Sequence, residues 1–209
     1  MDKDREQIAQ INTAESTRDK ILVASIWLFS QNGFNEVSVR DIAKAVGINA
    51  SSIYNHFESK KAILDAIFSF YDEQWDAAQP NPDTLLAMAE TEAPGQVLMS
   101  MLFDWKPELQ EMMNRIYIIA SREVMINPES MDRIKAMVMD RVQKLPRLLL
   151  GRLIELGRIE PIDIDAWVTI LAHVSHSSTS LNLTSLRIDL DTWIRCWIML
   201  LSVVKPTGE

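Results

Sequence analysis

From Ser38 onward the apolar positions recur three and four apart, the period of an α-helix with one buried face. In Ser38 to Val46 the buried stripe would be Val39, Ile42, Ala43 and Val46, while Arg40, Asp41 and Lys44 point outward. Ser38 and Asp41 have the spacing of a capping box, so a helix is predicted to start at Val39. Gly47, which tolerates the left-handed backbone of a helix end, would stop it, and Asn49 suits the N-cap of the next helix. Two helices separated by so short a turn must cross steeply, which is helix-turn-helix geometry.

The second helix, from Ala50 to about Asn55, is too short and polar to bury itself. Only Ile53 and Phe57 form an inward pair, leaving Ser51, Ser52, Tyr54, Asn55 and His56 for another surface. Hydroxyls, an amide, a phenol and an imidazole suit phosphate oxygens and base edges. Ser59 has the character of a further N-cap and is followed by Lys60 and Lys61. Lysines sit on the electrostatically worse end of a helix there, and an external anion such as a DNA phosphate would offset that, although a lysine pair taken alone is more often simply solvated.

Upstream, Ser16 and Asp19 would cap a helix with Ile21, Ala24, Leu28 and Phe29 inward and Gly33 as its stop; Phe34 and Val37 would pack beneath. The helix begun at Lys60 runs on through Ile63, Leu64, Ile67, Phe68, Tyr71 and Trp75 to near Pro80. Beyond it no period-two run is bracketed by hairpin turns, and helices are expected at about 83–90, 94–104, 107–125, 129–144, 146–156, 164–183 and 189–204. Pro146 should restart or kink a helix. The expected fold is all-α, nine or ten helices with no sheet.

The run SVRDIAKAVGINASSIYNHFESKKAIL, residues 38–64, resembles the N-terminal motif of the TetR family of transcriptional regulators. The residues that carry the resemblance include Ser38, Val39, Arg40, Asp41, Ile42, Ala43, Gly47, Tyr54, His56, Phe57, Ser59 and Lys60. Members often have a lysine and a glycine where this chain has Ala50 and Ser51, so a common phosphate contact is missing. Residues 1–15 alternate charges of both signs with no sustained apolar period and are expected to form a flexible extension; the resemblance implies a DNA-binding domain over 16–61 and a ligand-binding and dimerisation domain over 62–209. It makes the Lys60 helix the connection that carries ligand-induced movement, and it implies a homodimer paired through the last two long helices. DNA contacts are expected from Ser38, Arg40, Asn49, Ser51, Ser52, Tyr54, Asn55, His56, Lys60 and Lys61. Of these, Ser38, Tyr54, His56 and Lys60 are assigned to phosphates, and Arg40, Ser51, Ser52 and Asn55 to bases or mixed contacts.

A formal net charge of −8 argues at first against a polyanion partner. Between Ser16 and Lys61, however, Arg18, Lys20, Arg40, Lys44, Lys60 and Lys61 outnumber Asp19, Glu36, Asp41 and Glu58. The acidity lies elsewhere, where it would discourage indiscriminate DNA binding. With 209 residues and 47% hydrophobic content the chain can bury a substantial core. Cys196 is the single cysteine, which excludes an internal disulfide framework, and neither a signal peptide nor a long apolar span is evident, so a cytoplasmic location with no membrane contact is expected.

An effector site would draw on Tyr71, Trp75, Met101, Trp105, Met112, Met113, Ile116 and Tyr117, since methionine and aromatic side chains make adaptable apolar walls, although residues at such helical spacing are more often ordinary core. His173 and His176, three apart, share a helix face and would line a pocket or a subunit contact. No completing cysteine lies nearby, and no metal site or cofactor is expected. With no nucleophile motif or phosphate-binding glycine loop, and only 6 glycines, the chain is not expected to be an enzyme. The expected function is a ligand-responsive regulator, a repressor that binds a palindromic operator as a dimer and is released by a small apolar or amphipathic ligand. The alternative is a helical sensor or partner-binding protein of the same fold that has lost DNA binding.

Overall fold

The computed structural model describes residues 14–101, 106–126, 132, 135–181 and 190–207. Among them the architecture is all-α: α1 (Thr17–Asn32), α2 (Val39–Val46), α3 (Ala50–Ile53), α4 (Lys60–Ala78), α5 (Pro82–Thr91), α6 (Pro94–Met99), α7 (Pro107–Ile126), α8 (Arg141–Glu155), α9 (Ile164–Leu181) and α10 (Leu190–Ser202). The expected extension over 1–15 lies outside the described residues except for its last two. Two compact units result, one of residues 1–75 with 106–130 and the other of 76–105 with 131–209. Residues 61 and 62, the expected domain boundary, fall inside α4.

The first unit is built on α1. Ile21 through Trp27 are buried without a break, as are Phe29 and Ser30. A single stripe does not describe this helix, because α2 packs against it and so does α7, from far along the chain. A helix covered on two sides is apolar all round. Buried Ser25 and Ser30 return their hydroxyls to the helix itself, donating to the Ile21 and Trp27 carbonyls at 2.7 and 2.9 Å.

In the second unit α8 packs against α5 and α9 around Leu85, Ala89, Leu98, Leu149, Leu150, Leu153, Val168 and Leu171. Trp167 meets Trp197 of α10 edge to face at 6.3 Å, and its indole N–H donates to the Leu200 carbonyl at 3.0 Å. Of the two outcomes expected at Pro146, a new helix start does not occur. A π-helical turn over Lys135–Asp140 leads directly into α8, which continues through Pro146. Leu145, Pro146, Leu149, Leu150 and Leu153 are buried on its inner face, and that packing offsets the roughly 3 kcal/mol cost of an interior proline. No described helix is long and apolar enough to cross a membrane.

Candidate nucleic-acid interface

The reciprocal capping box at the start of α2 is formed. The Ser38 hydroxyl accepts from the Asp41 amide at 3.2 Å, and the Asp41 carboxylate accepts from the Ser38 amide at 2.8 Å. The same carboxylate takes the Ser38 hydroxyl proton at 2.6 Å, and these two hydrogen bonds hold the Asp41 pKa below its ordinary value. In this structure the Ser38 hydroxyl therefore donates within the cap. At the other end Gly47 is left-handed, with φ 77°, and the Ile48 amide bonds back to the Ala43 carbonyl at 3.0 Å.

α3 starts after Asn49, whose backbone is extended as an N-cap requires but whose side chain makes no cap hydrogen bond. Ile53 and Phe57 point inward and Arg18 lies over the Phe57 ring at 4.8 Å. On the outer side Arg40, Asn49, Ser51, Tyr54, Asn55 and His56 are exposed and Ser52 half-buried. Tyr54 is 57% exposed, unusual for a large aromatic side chain and suited to an external partner. The fold thus separates the inward pair from the polar set, leaving seven hydrogen-bonding side chains on α2, the turn, α3 and the three residues that follow it.

α4 starts as expected, with the Ser59 hydroxyl accepting from the Ala62 amide at 3.0 Å. Its two lysines differ. Lys61 is exposed and pairs with Asp65 one turn on, at 3.1 Å. Lys60, expected at a phosphate, instead directs its ammonium to the Phe34 and Val37 carbonyls at 2.7 and 2.9 Å, with the Asn35 carbonyl at 3.5 Å and the Phe34 ring centroid at 4.3 Å.

The expected effector-site residues are distributed over both units. Tyr71 and Trp75 stack at 6.0 Å on α4; Met113, Ile116 and Tyr117 are buried on α7 and Met112 is half-buried, all in the first unit. Met101 belongs to the core of the second unit. His173 is exposed on α9, with its Nδ1 2.8 Å from the Thr169 carbonyl. Trp105 and the side chain of His176 lie outside the described residues. Among the described residues no group of three His, Cys, Asp or Glu side chains comes together as a metal site.

Sequence reasoning missed a polar contact between α7 and α1. Arg115 is buried over the Trp27 ring at 3.4 Å, donates to the Ser30 hydroxyl at 3.1 Å and pairs with Glu111 at 2.7 Å. Two turns along the same helix, Arg122 donates to the Ser30 carbonyl at 2.8 Å. Both cations meet the C-terminal turn of α1, the negative end of its dipole. The available signal was a cation embedded in the apolar run from Met112 to Ile119.

Comparison with known proteins locates the sequence likeness in the N-terminal part of the chain. The family model for bacterial regulatory proteins, tetR family, matches residues 21–67. The probable HTH-type transcriptional regulator YttP of Bacillus subtilis (strain 168) is 30% identical over 89 residues, 43% of this chain and 42% of that protein. The biofilm operon icaADBC HTH-type negative transcriptional regulator IcaR of Staphylococcus aureus (strain Newman) is 29% identical over 103 residues, 48% of this chain and 52% of that one. The chain spans about half the length of these relatives. Among solved structures, a TetR family transcriptional regulator, PfmR from Thermus thermophilus, superposes with a TM-score of 0.61 at 22% identity, covering 90% of this chain and 97% of that one. At that identity the likeness establishes the fold.

Proposed function

We propose that this chain, a member of the tetR family of bacterial regulatory proteins by its N-terminal domain, is a ligand-responsive DNA-binding transcriptional regulator that acts as a repressor. The observation that carries the reading is the polar set on α2, the turn and α3, held outward by the Ser38–Asp41 box and the Gly47 end. In this reading Tyr54, His56 and Lys61 meet phosphates, while Arg40, Asn49, Ser51, Ser52 and Asn55 read bases or share both tasks. Ser38 acts mainly as the cap that aims Arg40.

One such reading surface spans only a few base pairs, so the working form is a dimer on a palindromic operator with half-site centres about 34 Å apart or a multiple of that. The apolar face that would pair is on α9 and α10, where Ile170, Ile198 and Met199 are all more than half exposed, as is Val203 just past the end of α10. A repressor role is consistent with the name of IcaR, a negative transcriptional regulator.

Effector response enters through α7. This helix carries Met113, Ile116 and Tyr117 on its buried face and also the two arginines bound to α1. A small apolar or amphipathic ligand that displaced α7 would move α1 and the reading surface packed on it. Switching occupancy from nearly all competent to nearly all incompetent requires about a 10⁴-fold preference between the two states. Selection of bound sequences from random duplex DNA, followed by release trials with apolar ligands, tests the proposal. Enrichment of an inverted repeat is expected, and recovery of no preferred sequence would overturn it.

A further inference from the structure

We infer that Lys60 is a positioning residue for DNA recognition, acting through a cage of backbone carbonyls rather than at a phosphate. An ammonium has three donors and no acceptor. Here the carbonyls of Phe34, Asn35 and Val37 surround it at 2.7, 3.5 and 2.9 Å, and the Phe34 ring lies beneath it at 4.3 Å. The Phe34 ring is itself held edge to face against Phe29 of α1 at 5.2 Å.

The connectivity gives the cage its meaning. Residues 34–37 are the segment immediately before Ser38, the N-cap of α2, and Lys60 is the first residue of α4. One ammonium therefore ties the first turn of α4 to the segment from which Ser38 and Arg40 are launched. It sets where the first turn of α2 stands against α3 and α4 without contributing a charge to the DNA. Lys61, exposed beside it, is the cation of the pair open to a phosphate.

The inference rests on the DNA-binding reading above, and two arms separate their failures. The first needs no DNA. Lys60→Ala leaves an empty cage that a small alkylammonium fits, so millimolar ethylammonium should raise the thermal midpoint of Lys60→Ala and leave the unsubstituted protein unchanged. Tetramethylammonium at equal ionic strength has no N–H and should do nothing. Equal effects of the two amines, or none, would overturn the cage.

The second arm uses the duplex recovered by selection, at temperatures where circular dichroism shows each variant folded. Lys60→Ala, and Lys60→Met as a variant that keeps the aliphatic stem, should lose at least tenfold in affinity for that duplex, lose less on random DNA, and keep the salt slope. Ethylammonium should restore the affinity of Lys60→Ala. A slope reduced by about one unit with equal loss on all sequences would make Lys60 a phosphate contact. Unchanged affinity of the folded variants would reduce it to a structural lysine. If the unsubstituted protein binds no selected duplex, the parent reading fails while the amine arm still decides the cage.

Discussion

Arg40 and Asp41 are neighbours on the first turn of α2 with opposite tasks, one facing outward and the other folded back on Ser38. Arg40→Ala should cost about 1–3 kcal/mol on the selected duplex and relax the preference at one base pair, measured by competition binding. Equal losses on selected and random DNA would contradict base reading. Asp41 makes a prediction about acid. Its pKa is lowered by the Ser38 hydroxyl and then the Ser38 amide, so its contribution to stability is complete above the ordinary value of 3.8 and disappears as pH falls through the lower folded value. Asp41→Asn should flatten that part of the acid-unfolding profile below about pH 4 and leave the difference between variant and parent constant near neutrality. A difference that varied between pH 6 and 8 would show another group at work.

At the scale of elements, helix ends were more legible than helix surroundings. Ser38, Gly47 and Ser59 act through atoms a few residues away, so spacing alone located the start of α2, its end and the start of α4. Asn49 takes the expected N-cap position with extended backbone, but its side chain makes no cap hydrogen bond. The path of α8 through Pro146 depended on what lay against its inner face. Arg158 is a second case decided by distance in sequence. It follows the left-handed Gly157 at the end of α8 and reaches the last turn of α5, donating to the Glu90 and Glu92 carbonyls at 2.5 and 2.9 Å. These orphan carbonyls have no helical partner, so Arg158→Ala should destabilise the protein by about 1–2 kcal/mol, allowing for partial solvation of a charged donor. Arg158→Lys should recover little, since an ammonium lacks the planar fork that spans two carbonyls. Thermal or urea unfolding measures both.

For the whole molecule the decisive surface is the apolar face of α9 and α10. Met199 is 70% exposed and Ile198 57%, and the proposed pairing would cover them. Ile198→Glu should shift the protein from dimer to monomer in sedimentation at micromolar concentration, weaken operator binding at least tenfold, and leave the helical signal intact. A parent protein that sediments as a monomer would remove the proposed pairing. In the proposed complex Arg40 and Lys61 are the cations each copy presents to DNA, so the salt dependence of binding should be shallow.

By itself the sequence determined the all-α class, the capped and glycine-ended helices of the turn, and the inward pair Ile53 and Phe57, since caps, αL glycines and three-four periodicity are local properties of a chain. Tertiary structure decided everything that depends on a distant neighbour. It buried α1 on two sides and put Arg115 and Arg122 against its last turn. It also turned the Lys60 ammonium from solvent to the carbonyls of residues 34, 35 and 37. A lysine at a helix start has the same local pattern whether it meets an anion or a backbone oxygen more than twenty residues away. Only the approach of the α1–α2 segment to α4 distinguishes the two.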